Sequence, residues 1–141
     1  MRFHVLTLFP TMFDSPFSEG IIGRAISRKF LEINLYDLRD HAVDRHGTVD
    51  DYLFGGVPGM LIKPEPFFSG VEAIQASASL DSSVPVVLLS PQGRTLTQRV
   101  VEDFSRFKDI VLLCGRYEGV DERVRQHLAT DEISIGDYVL G

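Results

Sequence analysis

The chain is poor in several features that commonly steer a functional reading. It has one cysteine in 141 residues, Cys114. An internal disulfide is therefore impossible, and a thiolate zinc site has no second ligand. Cys114 sits in an apolar run and reads as a packed core residue. No apolar stretch approaches the roughly 20 residues that span a bilayer, and no basic segment leads into an apolar one at the amino end. The expectation is a cytoplasmic protein with no membrane partner. Nucleotide motifs are missing as well. Without GxxxxGK[ST] or a GxGxxG opening the helix after the first strand, a P-loop enzyme or a dinucleotide-binding unit finds no support, and without GxSxG the simplest hydrolase drops out.

Positive charge is in short supply. The chain carries 14 Lys and Arg against 20 Asp and Glu, a net charge of −6. Phosphate neutralisation drives nonspecific nucleic-acid binding, so this balance excludes a general nucleic-acid coat while leaving room for an enzyme with a local basic patch. His41 and His46 lie near Asp40, Asp44, Asp50 and Asp51, but no compact ligand spacing joins them. They read as a polar loop, and no metal site is expected.

What is present describes an ordinary globular domain, with 44% hydrophobic and 24% charged residues. Strand and helix patterns alternate along it. Strands are predicted at residues 3–9, 33–38, 85–90, 110–114 and 132–135. Helices are predicted at 18–30, 64–76, 97–107 and 120–129, the first with Ile21, Ile22, Ala25 and Ile26 along one side and the third capped by Thr97. Residues 39–59 show no periodicity and read as a long loop of the functional kind. This order gives an α/β class with a mainly parallel sheet and flanking helices, in one domain over residues 1–141.

Three strand exits carry glycine and polar residues: LLSPQG (88–93), LCGRYEGVDERV (113–124) and EISIGDYVLG (132–141). Glycine lets backbone amides approach a ligand, and a following helix turns its amino end toward it. Three such exits point to one composite pocket. A lining of backbone groups with few charges suits a purine and a zwitterionic tail better than a triphosphate.

With LTLFPTMF (6–13) and DYLFGGVPGM (51–60), these segments resemble in order and spacing the bacterial tRNA (guanine-N1)-methyltransferase family of the SPOUT superfamily, from end to end of the chain. The resemblance implies a sheet with a carboxyl-terminal trefoil knot, a homodimer, S-adenosyl-L-methionine as cofactor, and methylation of guanosine-37 in the tRNA anticodon stem-loop. It places Leu88, Leu89, Ser90, Pro91, Gln92, Gly93, Gly115, Tyr117, Ile135, Gly136, Asp137, Tyr138, Val139 and Leu140 around the cofactor. Gly55, Gly56, Pro58 and Gly59 would pack against the target base, with Arg116 and Glu118 as the catalytic candidates. The family commonly has Pro-Tyr before these glycines and a third glycine, where this chain has Leu53, Phe54 and Val57. The family's base is an aspartate whose place falls beyond Gly141, so the chain reads as truncated, lacking the carboxyl-terminal tRNA-binding domain, and is expected to bind cofactor without turnover.

Taken singly, the same residues have plainer readings. Glu118, Asp121, Glu122, Arg123 and Arg125 make a solvated helix start, the glycines from Gly55 to Gly59 make turns, and Tyr138 fits core packing. The alternative function is a noncatalytic, flavodoxin-like nucleotide-binding module.

Overall fold

The computed structural model describes residues 1–42, 50–52, 60–115 and 119–136. Among these, seven strands and four α-helices succeed one another: β1 Arg2–Thr7, α1 Gly20–Ser27, β2 Glu32–Asp37, β3 Asp50–Tyr52, β4 Met60–Ile62, α2 Pro64–Ser77, β5 Val86–Thr95, α3 Gln98–Phe104, β6 Asp109–Cys114, α4 Glu122–His127 and β7 Asp131–Ser134. Short 3-10 turns at Pro10–Phe13 and Leu38–His41 come after β1 and β2. Five strands form one sheet in the order β2-β1-β6-β5-β7, every pair parallel, and β3 and β4 form a separate antiparallel pair.

The sheet is covered on both faces, and its sequence shows why. Successive strand residues point to opposite faces. Val86, Leu88, Val111 and Leu113 face a core built with Phe67, Val71 and Ile74 of α2 and Val124 of α4. Val87, Ile110 and Ile133 face the other way, onto Val100 and Phe104 of α3. Strands buried on both faces read as unbroken apolar runs, which is the character of VVLL in β5 and IVLLC in β6. Helix α2 opens on Pro64, whose missing N–H costs nothing there, and buries Phe67, Gly70, Val71 and Ile74 along one stripe.

Several elements differ from the sequence expectation, each for a local reason. Helix α1 is eight residues long, not thirteen, because Lys29 turns to φ 62 and the Phe30 N–H closes onto the Ala25 carbonyl at 2.9 Å. This is a Schellman ending without glycine. Its apolar side is not its buried side: Ile21 is 79% exposed and the buried residue is Gly23. The predicted loop at 39–59 contains β3 and is followed by β4, strands of three residues each, too short to show alternation. Cys114 ends β6 half-buried rather than deep in the core, and burial still pushes its thiol up to about 11.

The largest departure is β5, which runs past the Ser90-Pro91-Gln92-Gly93 stretch to Thr95. Val87, Leu88 and Leu89 pair with Asp131, Glu132 and Ile133, and then Arg94 and Thr95 pair with Ile133 and Ser134. Ile133 thus has both Leu89 and Arg94 as register partners. A strand offers one edge to each neighbour, so the two halves of β5 hold opposite edges of β7, and residues 90–93 carry the chain across it. Gly93 marks the crossing. A Cβ there would lie 2.5 Å from the Glu132 carbonyl carbon and the Ile133 nitrogen.

At the other end of the strands a polar staple joins β1 to β6. His4, fully buried, donates from Nε2 to Asp109 Oδ1 at 2.9 Å, and Arg2 Nε reaches the same oxygen at 2.7 Å. Burial by itself would raise the Asp109 pKa, but the hydrogen bonds from His4 and Arg2 outweigh it and hold the carboxyl below its ordinary range. A depressed carboxylate stabilises the fold above its unfolded pKa, and that stability disappears as pH falls through the folded value. Urea unfolding should therefore show the Asp109 contribution intact from neutrality to about pH 4 and declining below it. Asp109→Ala, which strands His4 without an acceptor, should cost about 1–3 kcal/mol at pH 7 and flatten that acid decline.

Candidate functional site

The three glycine-bearing exits predicted from sequence stand side by side. Leu89 is the register partner of Cys114 on one side and of Ile133 on the other, so the ends of β6 and β7 stand level with Leu89, where β5 leaves its first ladder. With strands about 4.8 Å apart, the three exits fall within roughly 10 Å of one another. Open parallel sheets bind ligands outside such carboxyl ends.

On the first exit, Leu88 points into the core at 3% exposure while Leu89 is 37% exposed. Ser90 Oγ accepts the Gln92 N–H at 3.1 Å, which tightens the turn, and Pro91 and Gln92 are exposed. On the third exit, buried Ser134 donates from Oγ to the Gly136 carbonyl at 2.6 Å and accepts the Gly136 N–H at 3.2 Å. That one hydroxyl sets the bend, leaving Ile135 55% exposed beyond it. Exposed Leu89 and Ile135 stand beside strand-end backbone groups, the mixture of apolar surface and a few polar groups that ligand sites use.

The second exit takes its shape from the residues after Gly115. A Cβ at Gly115 would stand 2.7 Å from Val120 Cγ2, so the absent side chain is the space Val120 uses. Gly119 has φ 131, a conformation few other residues tolerate. Its carbonyl accepts the Ile62 N–H at 3.2 Å, and the Asp121 N–H donates to the Ile62 carbonyl at 3.1 Å. Strand β4, into which the Gly55–Gly59 stretch leads, is thereby stitched to the turn that comes after Arg116, Tyr117 and Glu118.

The plainer reading holds for the start of α4. Asp121 accepts the Arg123 N–H at 2.9 Å, with the Arg123 guanidinium also on its carboxylate, and Arg125 pairs with Glu122. Hydrogen bonds from the Arg123 side chain and backbone hold the Asp121 carboxyl below its usual range against some burial. These charges are occupied with one another.

Of the site residues expected from sequence, Leu88, Leu89, Ser90, Pro91, Gln92, Gly93, Gly115, Ile135 and Gly136 are brought together. Gly55, Gly56, Pro58, Gly59, Arg116, Tyr117, Glu118, Asp137, Tyr138, Val139 and Leu140 lie outside the described residues, as do His46, Asp44 and Val57. Sequence reasoning missed Ser134, for which the pattern Ser-x-Gly after a strand was an available turn signal. It also missed Arg94, whose Nε and Nη2 bond Asp131 Oδ1 and Oδ2 at 3.0 and 2.7 Å. No local pattern announces a pair 37 residues apart.

Comparisons with known proteins point to one family. The family model described as "tRNA (Guanine-1)-methyltransferase TrmD" matches residues 1–141. A protein of Dehalococcoides mccartyi named tRNA (guanine-N(1)-)-methyltransferase is 51% identical over 140 residues, 99% of this chain and 56% of its own length. One of the same name from Staphylococcus carnosus is 45% identical with the same coverage. The crystal structure of a tRNA (m1G37) methyltransferase from Aquifex aeolicus superposes with a TM-score of 0.88 at 38% identity, covering 99% of this chain and 62% of that one. The chain thus spans little more than half the length of these relatives.

The two site glycines should respond differently to a side chain. Gly93→Ala pushes a methyl into the β7 backbone and should destabilise by about 1–3 kcal/mol, the range for overpacking. Gly115→Ala meets only the movable end of Val120 and should remain near wild-type in melting. Gly115→Val, with two further methyls at the mouth of the row, should lower nucleoside affinity by at least about 1 kcal/mol. Paired melts and calorimetric titrations read both effects, and equal tolerance at the two positions would remove the crossing from the explanation.

Proposed function

This chain belongs to the tRNA (guanine-1)-methyltransferase family, and on that premise we propose that it is the donor-binding domain of an enzyme that transfers a methyl group from S-adenosyl-L-methionine to N1 of guanosine-37 in tRNA. The observation that carries the reading is the level row of exits at Leu89, Cys114 and Ile133. Backbone groups around Ser90, Pro91, Gln92, Gly93, Gly115 and Gly136 hold the polar edges of the donor, while Leu89 and Ile135 cover its adenine. Tyr117, Asp137, Tyr138, Val139 and Leu140 complete the clasp. Bound there, the donor supplies an electrophilic methyl on a sulfonium sulfur.

The target base enters from the side of β4. The backbone stitch between Ile62 and Gly119–Asp121 supports this, because it ties β4 to the start of α4 beside the second exit. Guanine N1 keeps its proton to about two units above neutrality, so ionising it in advance adds roughly 3 kcal/mol at about 1.36 kcal/mol per unit. A base must take that proton as the N1–carbon bond forms and the carbon–sulfur bond breaks. We assign that base to an aspartate beyond Gly141. Arg116 donates toward guanine O6, where negative charge develops, and Glu118 lies beside the base to fix its orientation. The grip of β5 on both edges of β7 supports a SPOUT-type trefoil knot. The working protein is then a cytoplasmic homodimer that binds the anticodon stem-loop with surfaces outside these 141 residues.

Titration calorimetry with S-adenosyl-L-methionine, its demethylated product and FMN tests the donor site. Binding of the first two without FMN is expected, and preference for FMN would favour the noncatalytic nucleotide-binding module. In a tritiated-methyl assay, the 141 residues alone should read background on tRNA bearing guanosine-37. Robust turnover would place the base within this chain and make Glu118 the first residue to replace.

A further inference from the structure

We propose that Arg94 and Asp131 form a clasp that locks the crossing segment over β7 and thereby sets the affinity of the row of strand exits for its nucleoside ligand. The inference deepens the donor-site reading and rests on it for the ligand, but the clasp itself stands on geometry.

Residues 90–93 leave the sheet on one edge of β7 and rejoin it on the other. The near end is secured by the long ladder of Val86–Leu89, buried between β6 and β7. Among the described residues, the far end is held by the Arg94 and Thr95 pairings and the 2.8 Å hydrogen bond from Leu96 N–H to the Ser134 carbonyl. The Arg94 side chain reinforces this short end. From a backbone position opposite Ile133 it reaches back two residues along β7 and binds Asp131 through both carboxylate oxygens, at 3.0 and 2.7 Å. A bidentate fork fixes direction as well as distance.

Two further contacts hold each partner in place. The Arg94 guanidinium carbon lies 6.0 Å from the centroid of the Phe104 ring of α3, which restricts the planar group. Asp131 Oδ1 also accepts the Glu132 N–H at 3.1 Å, so its carboxylate is oriented before the arginine arrives. The pair is partly exposed, with side chains 53% and 25% accessible, so it adds little to global stability. Its effect is local. Gly93, where a Cβ would strike the β7 backbone, is the residue just before Arg94, so any rise of residue 94 lifts the 90–93 turn from its seat.

Arg94 and Asp131 are thus positioning residues for the ligand site. The test combines Arg94→Gln, Asp131→Asn and the double variant in the 141-residue chain, with melting, amide hydrogen exchange of residues 92–96, and titration with S-adenosyl-L-methionine. Each single variant should melt close to wild-type, exchange those amides faster and bind about fivefold more weakly, and the double variant should be no worse than either single, as for two residues acting through one contact. Wild-type exchange and affinity in the folded single variants would overturn the clasp. Faster exchange with unchanged affinity would overturn its link to the ligand. A wild-type chain that does not bind S-adenosyl-L-methionine would sink the donor-site reading, while the exchange data still judge the clasp.

Discussion

The passage of β5 across β7 is the constraint on which the rest of the site depends. A strand normally sits on one edge of its neighbour. Here one strand takes both edges, and the cost is an approach so close that a Cβ at Gly93 would strike the backbone of Glu132 and Ile133. The return is rigidity where a ligand loop is usually free. Residues 90–93 are tethered at both ends to the same neighbouring strand, so the turn at the first exit and the bend at the third are held by one object.

The sheet separates two kinds of polar chemistry. At the carboxyl ends of the strands, backbone groups and small turns are presented outward, with the Ser134 hydroxyl shaping the bend at Gly136. At the amino ends, charge is turned inward and spent on structure, as His4 and Arg2 close on Asp109. The staple ties β1 to β6 from below, and the register of that pair runs unbroken to Leu6 and Leu113. Level exits above depend on fixed register beneath.

Much of this was legible in the sequence, and the reasons it was or was not are physical. Strands β5 and β6 announced themselves because a doubly covered strand is apolar without interruption, and the exits announced themselves through glycine and short polar residues. The alternation of strand and helix gave the parallel sheet. What escaped was set by distant partners. Pro91 and Gly93 read as the end of a strand, yet β5 continues because Ile133 and Ser134 wait for Arg94 and Thr95 some forty residues later. Asp50 and Asp51 belong to a residue type depleted in strands, so β3 gave no signal. Lys29, which carries no hallmark of a helix stop, ends α1 by adopting positive φ. The pairing of Arg94 with Asp131 needed the fold itself to be seen.

The crossing also orders events in time. Val86 and Thr130, which meet where β5 and β7 begin, are 44 residues apart in sequence. A chain made at roughly 5–20 residues per second therefore holds the first strand for about two to nine seconds before the second emerges. During that interval β5 can pair with β6, but its far half has no strand to rejoin. The segment that crosses has no second edge to hold until β7 emerges. Non-local pairings of this kind are slow to form, since loop-closure entropy is lost before any contact offsets it. The row of exits therefore cannot take its final shape before β7 has emerged and paired.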